Sequence, residues 1–597
     1  MQDRMSGVGG AMKVRNLRLL ALGAATALCA FACAGCGGGG GENAKFERLA
    51  KRYFRDNFRA NPTFATWAGE HRYDHDLDDV SREGVEARLA SAKSYLTGLG
   101  SLEAATLSPD NRIDAEILAN NIKLDILLYE DMRVFETNPM LYTTLLGNSI
   151  YYLIARDFEP IDERLDAAAD RLMKFPAAVE QAMANLSNPP KPYTEMAISQ
   201  NRGLIALVER DLLREAEKTP GKKKKVEKAA NVALDALRAF QEFLEKDLLD
   251  RSLGDYRLGD EVFRRLSDGL LQSDMSSEEI VAAAYAEIER VHGEMYELAV
   301  PLFAEMTGAR PPENPGRAER MAIVRKVLDE IAKDHPKPAE LLDVCKAAYA
   351  EAEAFVRERD ILTIPEEPIE IVWAPEYSRG LSIVALEAPG PLDRGMKYLF
   401  LVSPVPEDYD QRELDSYLRE YNDEMIRLVT IHEAMPGHYA QFAYANRNPS
   451  MARIVCFNSA FVEGWGVYCM ELMNELGFRG GDARLDLTWK KFYLRVLTNA
   501  IIDSGMHREG MTESEAMRLM TGDGFQEESE AAIKWRRAMI NPGYLSTYFS
   551  GYLEIRQLRL EAEQRLGGRF NLKEFHEKLL RQGALPPRLA REALFRE

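Results

Sequence analysis

The stretch from Asp423 to His438 sets the tightest condition on how this chain can fold. Asp423-Glu424-Met425-Ile426-Arg427-Leu428-Val429-Thr430-Ile431-His432-Glu433-Ala434-Met435 carries apolar residues at Met425, Leu428, Val429 and Ile431, the stripe of an amphipathic helix. His-Glu at the end of such a helix is the first half of the zinc signature H-E-x-x-H. There, two imidazoles one turn apart face one ion beside a glutamate base. In this chain the next histidine, His438, comes six residues after His432 rather than four. At about 100° per residue, six steps leave the two side chains roughly 120° apart. A regular helix cannot aim both at one ion. Pro436 and Gly437 stand between them. Proline lacks an N–H and clashes with the carbonyl four residues back, here that of His432, and glycine takes conformations that other residues resist. Either the helix opens, two residues loop out and His438 swings back toward a metal, as in bulged helices at functional sites, or the helix ends at Met435 and His438 caps the next element.

Glu463 lies downstream in Phe461-Val462-Glu463-Gly464-Trp465-Gly466-Val467-Tyr468, on an apolar helix with few other charges. A carboxylate among aromatics is costly unless it is paired or bound to a metal. The expectation is a third metal ligand, as a second-helix glutamate is in one large class of zinc peptidases. The other reading is a carboxylate bonded to a backbone amide or an arginine.

Around this segment the chain reads as mainly α. Its 597 residues exceed what one simple core needs, so a large helical body or two lobes is expected. Segments 163–185, 226–250, 278–305, 317–333 and 338–358 carry apolar residues at three-to-four spacing with charges between. The pattern changes at 369–373, 381–385 and 397–402. These β-rich runs, with turns at Pro389-Gly390-Pro391 and Asp393-Arg394-Gly395, predict a small antiparallel sheet just before the His-Glu helix. The organisation that results is a helical N-terminal lobe over 45–360 and a catalytic lobe over 361–597. The net charge of −19 argues against nucleic-acid binding.

At the N-terminus, Lys13, Arg15 and Arg18 precede an uncharged apolar run from Leu19 to Gly35, which reads as a signal peptide over 1–35 rather than a spanning helix. Small residues before Cys36 resemble the bacterial lipobox, so Cys36 is the expected lipidation site. Gly37 to Gly41 then lie in a flexible tether over 36–44. The chain is thus expected in the cell envelope, held by membrane lipid on the periplasmic side of the outer membrane. Beyond that segment only Cys345, Cys456 and Cys469 remain, too few for a disulfide framework.

The ordered set HEAMPGHYAQF, FVEGWGVY, IIDSGMH, PGYLSTYFSGYLEIRQLR and FHEKLLRQGALP, with NPTFATWAGEHRYDHDLDD and YRLGDEVFRRL nearer the N-terminus, resembles the bacterial family called domain of unknown function 885. The similarity runs from about 45 to 595. It implies a lipoprotein with a zincin-like metallopeptidase fold, and the family's His-Glu motif carries the same Pro-Gly insertion. On that footing Zn²⁺ is expected on His432, His438 and Glu463, with Glu433 as general base and a peptide as substrate. Tyr548 and His507, with Tyr552, are expected near the developing oxyanion. Asp503, four residues before His507, is expected to orient its imidazole, and Arg556 or Arg559 to bind a substrate carboxylate. His71 and His75 read as turn residues, His292 and His335 as surface residues, and His576 as structural. Two rivals remain: a non-catalytic peptide-binding lipoprotein, which predicts loss of Glu433 or a ligand, and a metal-free hydrolase using Glu433 and Glu463, which leaves two histidines idle.

Overall fold

The computed structural model describes residues 39–375, 379, 383–406 and 409–596. Signal segment and Cys36 lie outside that range. Helix α1 (Gly39–Ala60) already begins inside the glycine-rich stretch read as a tether. The long periodic segments are helices, among them α2 (Ser277–Thr307), closed at its start by a Ser276/Glu279 capping box, and α3 (Leu341–Glu358). Segment 163–185 is two helices, Ile161–Leu172 and Phe175–Asn185, because Pro176 belongs to a first helical turn, where its missing N–H costs nothing.

The sheet corrects the expected antiparallel arrangement: it is mixed. Strands β1 (Ile369–Trp373), β2 (Val384–Glu387) and β3 (Tyr398–Val402) lie in the order β1-β3-β2. β1 pairs parallel with β3, Ile371 opposite Phe400, while β2 pairs antiparallel, Leu386 opposite Phe400. Burial gives the reason. Tyr398, Phe400, Leu401 and Val402 are all buried, so β3 takes the centre, where both edges are hydrogen-bonded. The half-polar β1, with Trp373 exposed, is left at an edge. Leu381 and Ser382, part of the expected second strand, lie outside the described residues.

After the sheet come helices α4 (Asp423–Glu433), α5 (His438–Ala445), α6 (Ser459–Glu475), α7 (Ala483–Ser504), α8 (Glu528–Ile540) and α9 (Ser546–Leu566). Asn422 starts α4 by accepting from the amides of Glu424 and Met425 at 3.2 and 3.1 Å. Met425, Ile426, Leu428, Val429 and Ile431 are then buried, each contributing about 1.5–3 kcal/mol. α6 and α9 make backbone contact. A Cβ on Gly464 would stand 2.2 Å from the Gly551 carbonyl carbon, and one on Gly551 would stand 1.7 Å from Ala460 O. The largest core joins α2 and α3 to the sheet and to α4–α7 and α9, so it draws on helices from both sides of residue 360. A second core is built almost wholly from residues 80–248. No helix of the described residues is long and apolar enough to cross a membrane, and Cys345, Cys456 and Cys469 are free thiols.

Candidate functional site

α4 stops at Glu433, and the chain makes a compact loop before α5 starts at His438. The amide of Gly437 donates to Ile431 O at 3.0 Å and that of Ala440 to Ala434 O at 3.4 Å. These are steps of six residues where an α-helix takes four, so two residues are looped out. A Cβ on Gly437 would lie 1.9 Å from His432 O and 2.4 Å from Ile431 O, so no other residue fits. The loop is pinned from α6, where Trp465 Nε1 donates to Pro436 O at 3.0 Å.

This loop turns His438 back onto His432, with ring centroids 4.6 Å apart. Both imidazoles then meet Glu463 of α6: Oε2 lies 3.3 Å from His432 Nε2 and 3.6 Å from His438 Nε2. Ligand atoms about 2.0–2.1 Å from a tetrahedral zinc ion stand roughly 3.3–3.4 Å from one another, and the two distances from Glu463 Oε2 fall close to that spacing. All three side chains are buried. Glu433 belongs to the same cluster, with His432, Glu433 and His438 each offering an atom within 4.8 Å of the others. Its Oε2, however, accepts the Leu386 amide of β2 at 3.0 Å, so Glu433 is tied to the sheet edge rather than to Glu463.

Neighbours orient each of these groups. His438 Nδ1 meets Gln441 Oε1 at 3.2 Å, and Gln441 in turn donates to Phe461 O at 3.4 Å, which directs Nε2 toward Glu463. His432 lies against the α6 backbone, where a Cβ on Gly466 would come within 2.5 Å of the imidazole. Tyr548 stacks over His432 at 6.1 Å. The Tyr544 hydroxyl donates to Glu463 Oε1. Arg537 Nη2 donates to the Tyr548 hydroxyl at 3.2 Å, its guanidinium resting 5.2 and 6.0 Å from the ring centres of Tyr544 and Tyr548. Glu433, Arg537, Tyr544 and Tyr548 keep partial exposure where His432, His438 and Glu463 do not, so the cluster opens on their side.

The charges follow from this packing. Burial alone would raise the Glu463 carboxyl, but hydrogen bonds from His432 and His438 outweigh it and hold it well below its usual range. Burial would lower His438, yet its bond to Glu463 and the nearby Glu433 charge push it up to about 9. Burial drives the Tyr548 hydroxyl upward, so it remains a proton donor at neutral pH.

Other expected site residues lie elsewhere. His507 Nε2 bonds Ala538 O at 3.0 Å, and its ring stacks on Phe263 at 5.4 Å. The Asp503 oxygens accept from the Gly543 amide at 2.9 Å and from the Ser546 amide and hydroxyl at 3.0 and 2.9 Å, which clamps the start of α9. The Tyr552 hydroxyl donates to Glu471 at 2.6 Å, Arg556 lies 3.5 Å from Glu471, and Arg559 pairs with Glu475 at 2.7 Å. Those three meet α6 two to three turns beyond Glu463. His292, read as a surface residue, is instead buried, with Nε2 on Asp523 O at 2.8 Å. His576 bridges Tyr468 and Ile361 O in the core, where burial pushes it down to about 4.

The sequence reading passed over Tyr544, Arg537, Gln441, Gly466 and the Leu386 amide. The Gly-Trp-Gly spacing carried a signal for Gly466, since a glycine in an apolar helix marks close approach. Gln441 carried one too, three residues after a candidate ligand. The Leu386 amide carried none.

The family described as "Bacterial protein of unknown function (DUF885)" matches residues 62–594 of this chain. A solved structure described as "a putative lipoprotein of unknown function from Shewanella oneidensis" is 28% identical, with a TM-score of 0.77 over 92% of this chain and 100% of that one. A "putative lipoprotein from Colwellia psychrerythraea", 18% identical, has a TM-score of 0.74 over 92% of this chain and 98% of that one, which shows a shared fold. Among curated proteins none matches this chain.

Proposed function

We propose that this chain, which belongs to the DUF885 family, is a zinc-dependent peptidase held in the cell envelope as a lipoprotein. One observation carries the reading: His432 Nε2 and His438 Nε2 converge on Glu463 Oε2 at 3.3 and 3.6 Å. Two imidazoles and a carboxylate with a fourth direction open are the donor set of a catalytic zinc-peptidase site. Zinc held by His432, His438 and Glu463 would supply Lewis-acid chemistry for the scissile carbonyl and activate water near neutral pH. Glu433, one oxygen held by the Leu386 amide, uses the other to take the water proton and pass it to the leaving amine. Tyr548, supported by Arg537, donates to the carbonyl oxygen as that atom gains charge. Tyr544 holds Glu463 Oε1, which keeps Oε2 turned toward the imidazoles. The metal-free alternative fares worse, because it leaves the two imidazoles that converge on Glu463 without a task.

Lipid attachment at Cys36 is supported by the small residues before it and by the descriptions of the structural relatives. It would anchor the enzyme on the periplasmic side of the outer membrane. Cys36→Ser would release the protein into the soluble fraction, which detergent partitioning reads.

Metal analysis of purified protein beside Glu433→Gln tests the central reading. Stoichiometric zinc in both, with peptide cleavage lower in the variant by about 10²–10⁴-fold, is expected. Absence of zinc from both would sink it.

A further inference from the structure

Arginines around the ligand cluster divide into two groups. Arg495 pairs with Glu530 and lies 3.5 Å from Glu420; Arg556 lies 3.5 Å from Glu471; Arg559 pairs with Glu475 at 2.7 Å. Arg537 differs. Among the described residues no carboxylate comes within ion-pair distance of it, and its one hydrogen bond is from Nη2 to the Tyr548 hydroxyl. The rest of the guanidinium lies over the faces of Tyr544 and Tyr548. A guanidinium has five N–H donors in a planar fork, and holding one partly buried without an anion is costly.

We propose that Arg537 binds a carboxylate of the substrate, so that the enzyme acts on peptides carrying a free carboxylate close to the scissile bond. This rests on the zinc-peptidase reading above. Tyr548 stacks on the ligand His432, and Tyr544 bonds the ligand Glu463, so a single aromatic side chain separates the guanidinium from the cluster. Arg537 lies 6.0 Å from the Tyr548 ring centre and that ring 6.1 Å from His432, so at about 3.3–3.6 Å per extended residue the bound carboxylate falls within roughly three residues of the cut bond. Charge balance points the same way. Zinc and Arg537 together carry three positive charges against the two negative charges of Glu433 and Glu463, and a substrate carboxylate supplies the missing one. The planar fork suits that group, and the aromatic faces hold it in place. Arg556 and Arg559, expected from sequence to do this, are already occupied by Glu471 and Glu475.

The test uses zinc-loaded full-length protein and N-acetylated tetrapeptides in three sets: free C-terminal acids, their C-terminal amides, and amides with Asp or Glu at each position. Acids should exceed amides in kcat/KM on the order of 10- to 100-fold. That ratio should collapse toward one in Arg537→Gln and survive in part in Arg537→Lys. Calorimetric Kd values on the Glu433→Gln background, which leaves the peptide whole, should show the same preference and its loss on adding Arg537→Gln. A gain confined to the acidic amides supports the contact and assigns the carboxylate to a side chain. Equal treatment of all three sets by the wild type, or a preference that persists in Arg537→Gln, overturns the proposal. A fall common to all sets also overturns it, since support of Tyr548 alone would act so. Should Arg537→Gln lose zinc or melt early, the Arg537→Lys ratio decides instead. If no peptide is cleaved by zinc-loaded enzyme, the peptidase reading falls, while the calorimetric preference still judges the Arg537 contact.

Discussion

α6 meets the surrounding helices with carboxylates at both ends, and the two ends are equipped differently. Near its start, Glu463 is held by two imidazoles and by Tyr544. Two turns later Glu471 is met by Tyr552 and Arg556, and Glu475 beyond it by Arg559. Each end has a tyrosine hydroxyl on a glutamate, so the tyrosine does not distinguish them. The cation does. Arginine is charged at every relevant pH, so the far end neutralises its own carboxylates and has no need of a ligand. Imidazoles are neutral in their ligating form, so a metal at the near end would displace the proton that Glu463 and Glu433 otherwise hold on His438, a proton the far-end arginines do not give up.

The sharpest way to break the comparison is to remove each carboxylate in turn. Glu463→Gln is expected to abolish stoichiometric zinc and with it cleavage. Glu471→Gln should keep full zinc and lose about 1–3 kcal/mol of stability, the cost of an imperfectly satisfied buried contact. Metal analysis and thermal melts on both variants decide. Zinc retained in Glu463→Gln would erase the difference between the two ends.

Gly437→Ala should come next, since its Cβ would collide with backbone, 1.9 Å from His432 O. The six-residue step would open, His438 would leave Glu463, and zinc would be lost from an otherwise helical protein. Circular dichroism beside metal content separates this from global unfolding. Below it in size stand Tyr544→Phe and Gln441→Leu, which leave the ligands in place but loosen them. Each should weaken zinc binding about 10- to 100-fold, as read by competition with a chelator. The matched far-end change, Tyr552→Phe, should leave zinc affinity untouched.

How much of this could be read beforehand follows from what each feature depends on. The helix bearing His432 was legible because its stripe is local, and the loop after it because Pro436 and Gly437 act on their own backbone. Glu463 stood out as a charge in an apolar run. The sheet order was not legible, since β3 takes the centre only through its burial relative to β1. Nor was the choice among Tyr544, Tyr548 and Tyr552. They recur at four-residue intervals, and which one meets Glu463 is set by the contact of Gly464 with Gly551, a register between two helices. Arg537 arrives from a third helix and is recognisable only by the carboxylate it lacks. Asp503 and His507 show the converse, residues of catalytic type that face a helix start and a carbonyl.

His71 inverts the Glu463 arrangement and sharpens the comparison at lowest amplitude. Here one imidazole lies between two carboxylates, Asp74 at 2.9 Å and Asp393 at 3.0 Å, and its ring stacks on Phe158. Burial would lower its pKa, but the two carboxylates prevail and raise it to about 9. Such a site makes its own cation by taking up a proton, with one imidazole between two carboxylates where Glu463 faces two imidazoles. The consequence is a pH dependence of definite sign. An unfolded histidine titrates near 6.5. Because the folded value is higher, the stabilisation is complete below about pH 6.5 and is lost as pH rises through about 9. Allowing for solvent screening of a partly exposed group, the loss amounts to about 1–2 kcal/mol. Melting of wild type beside His71→Asn between pH 6 and 9.5 isolates it. The two curves should lie furthest apart at the acid end and converge at the alkaline end. A gap that stays constant with pH would mean that His71 is held by packing on Phe158 and not by its charge.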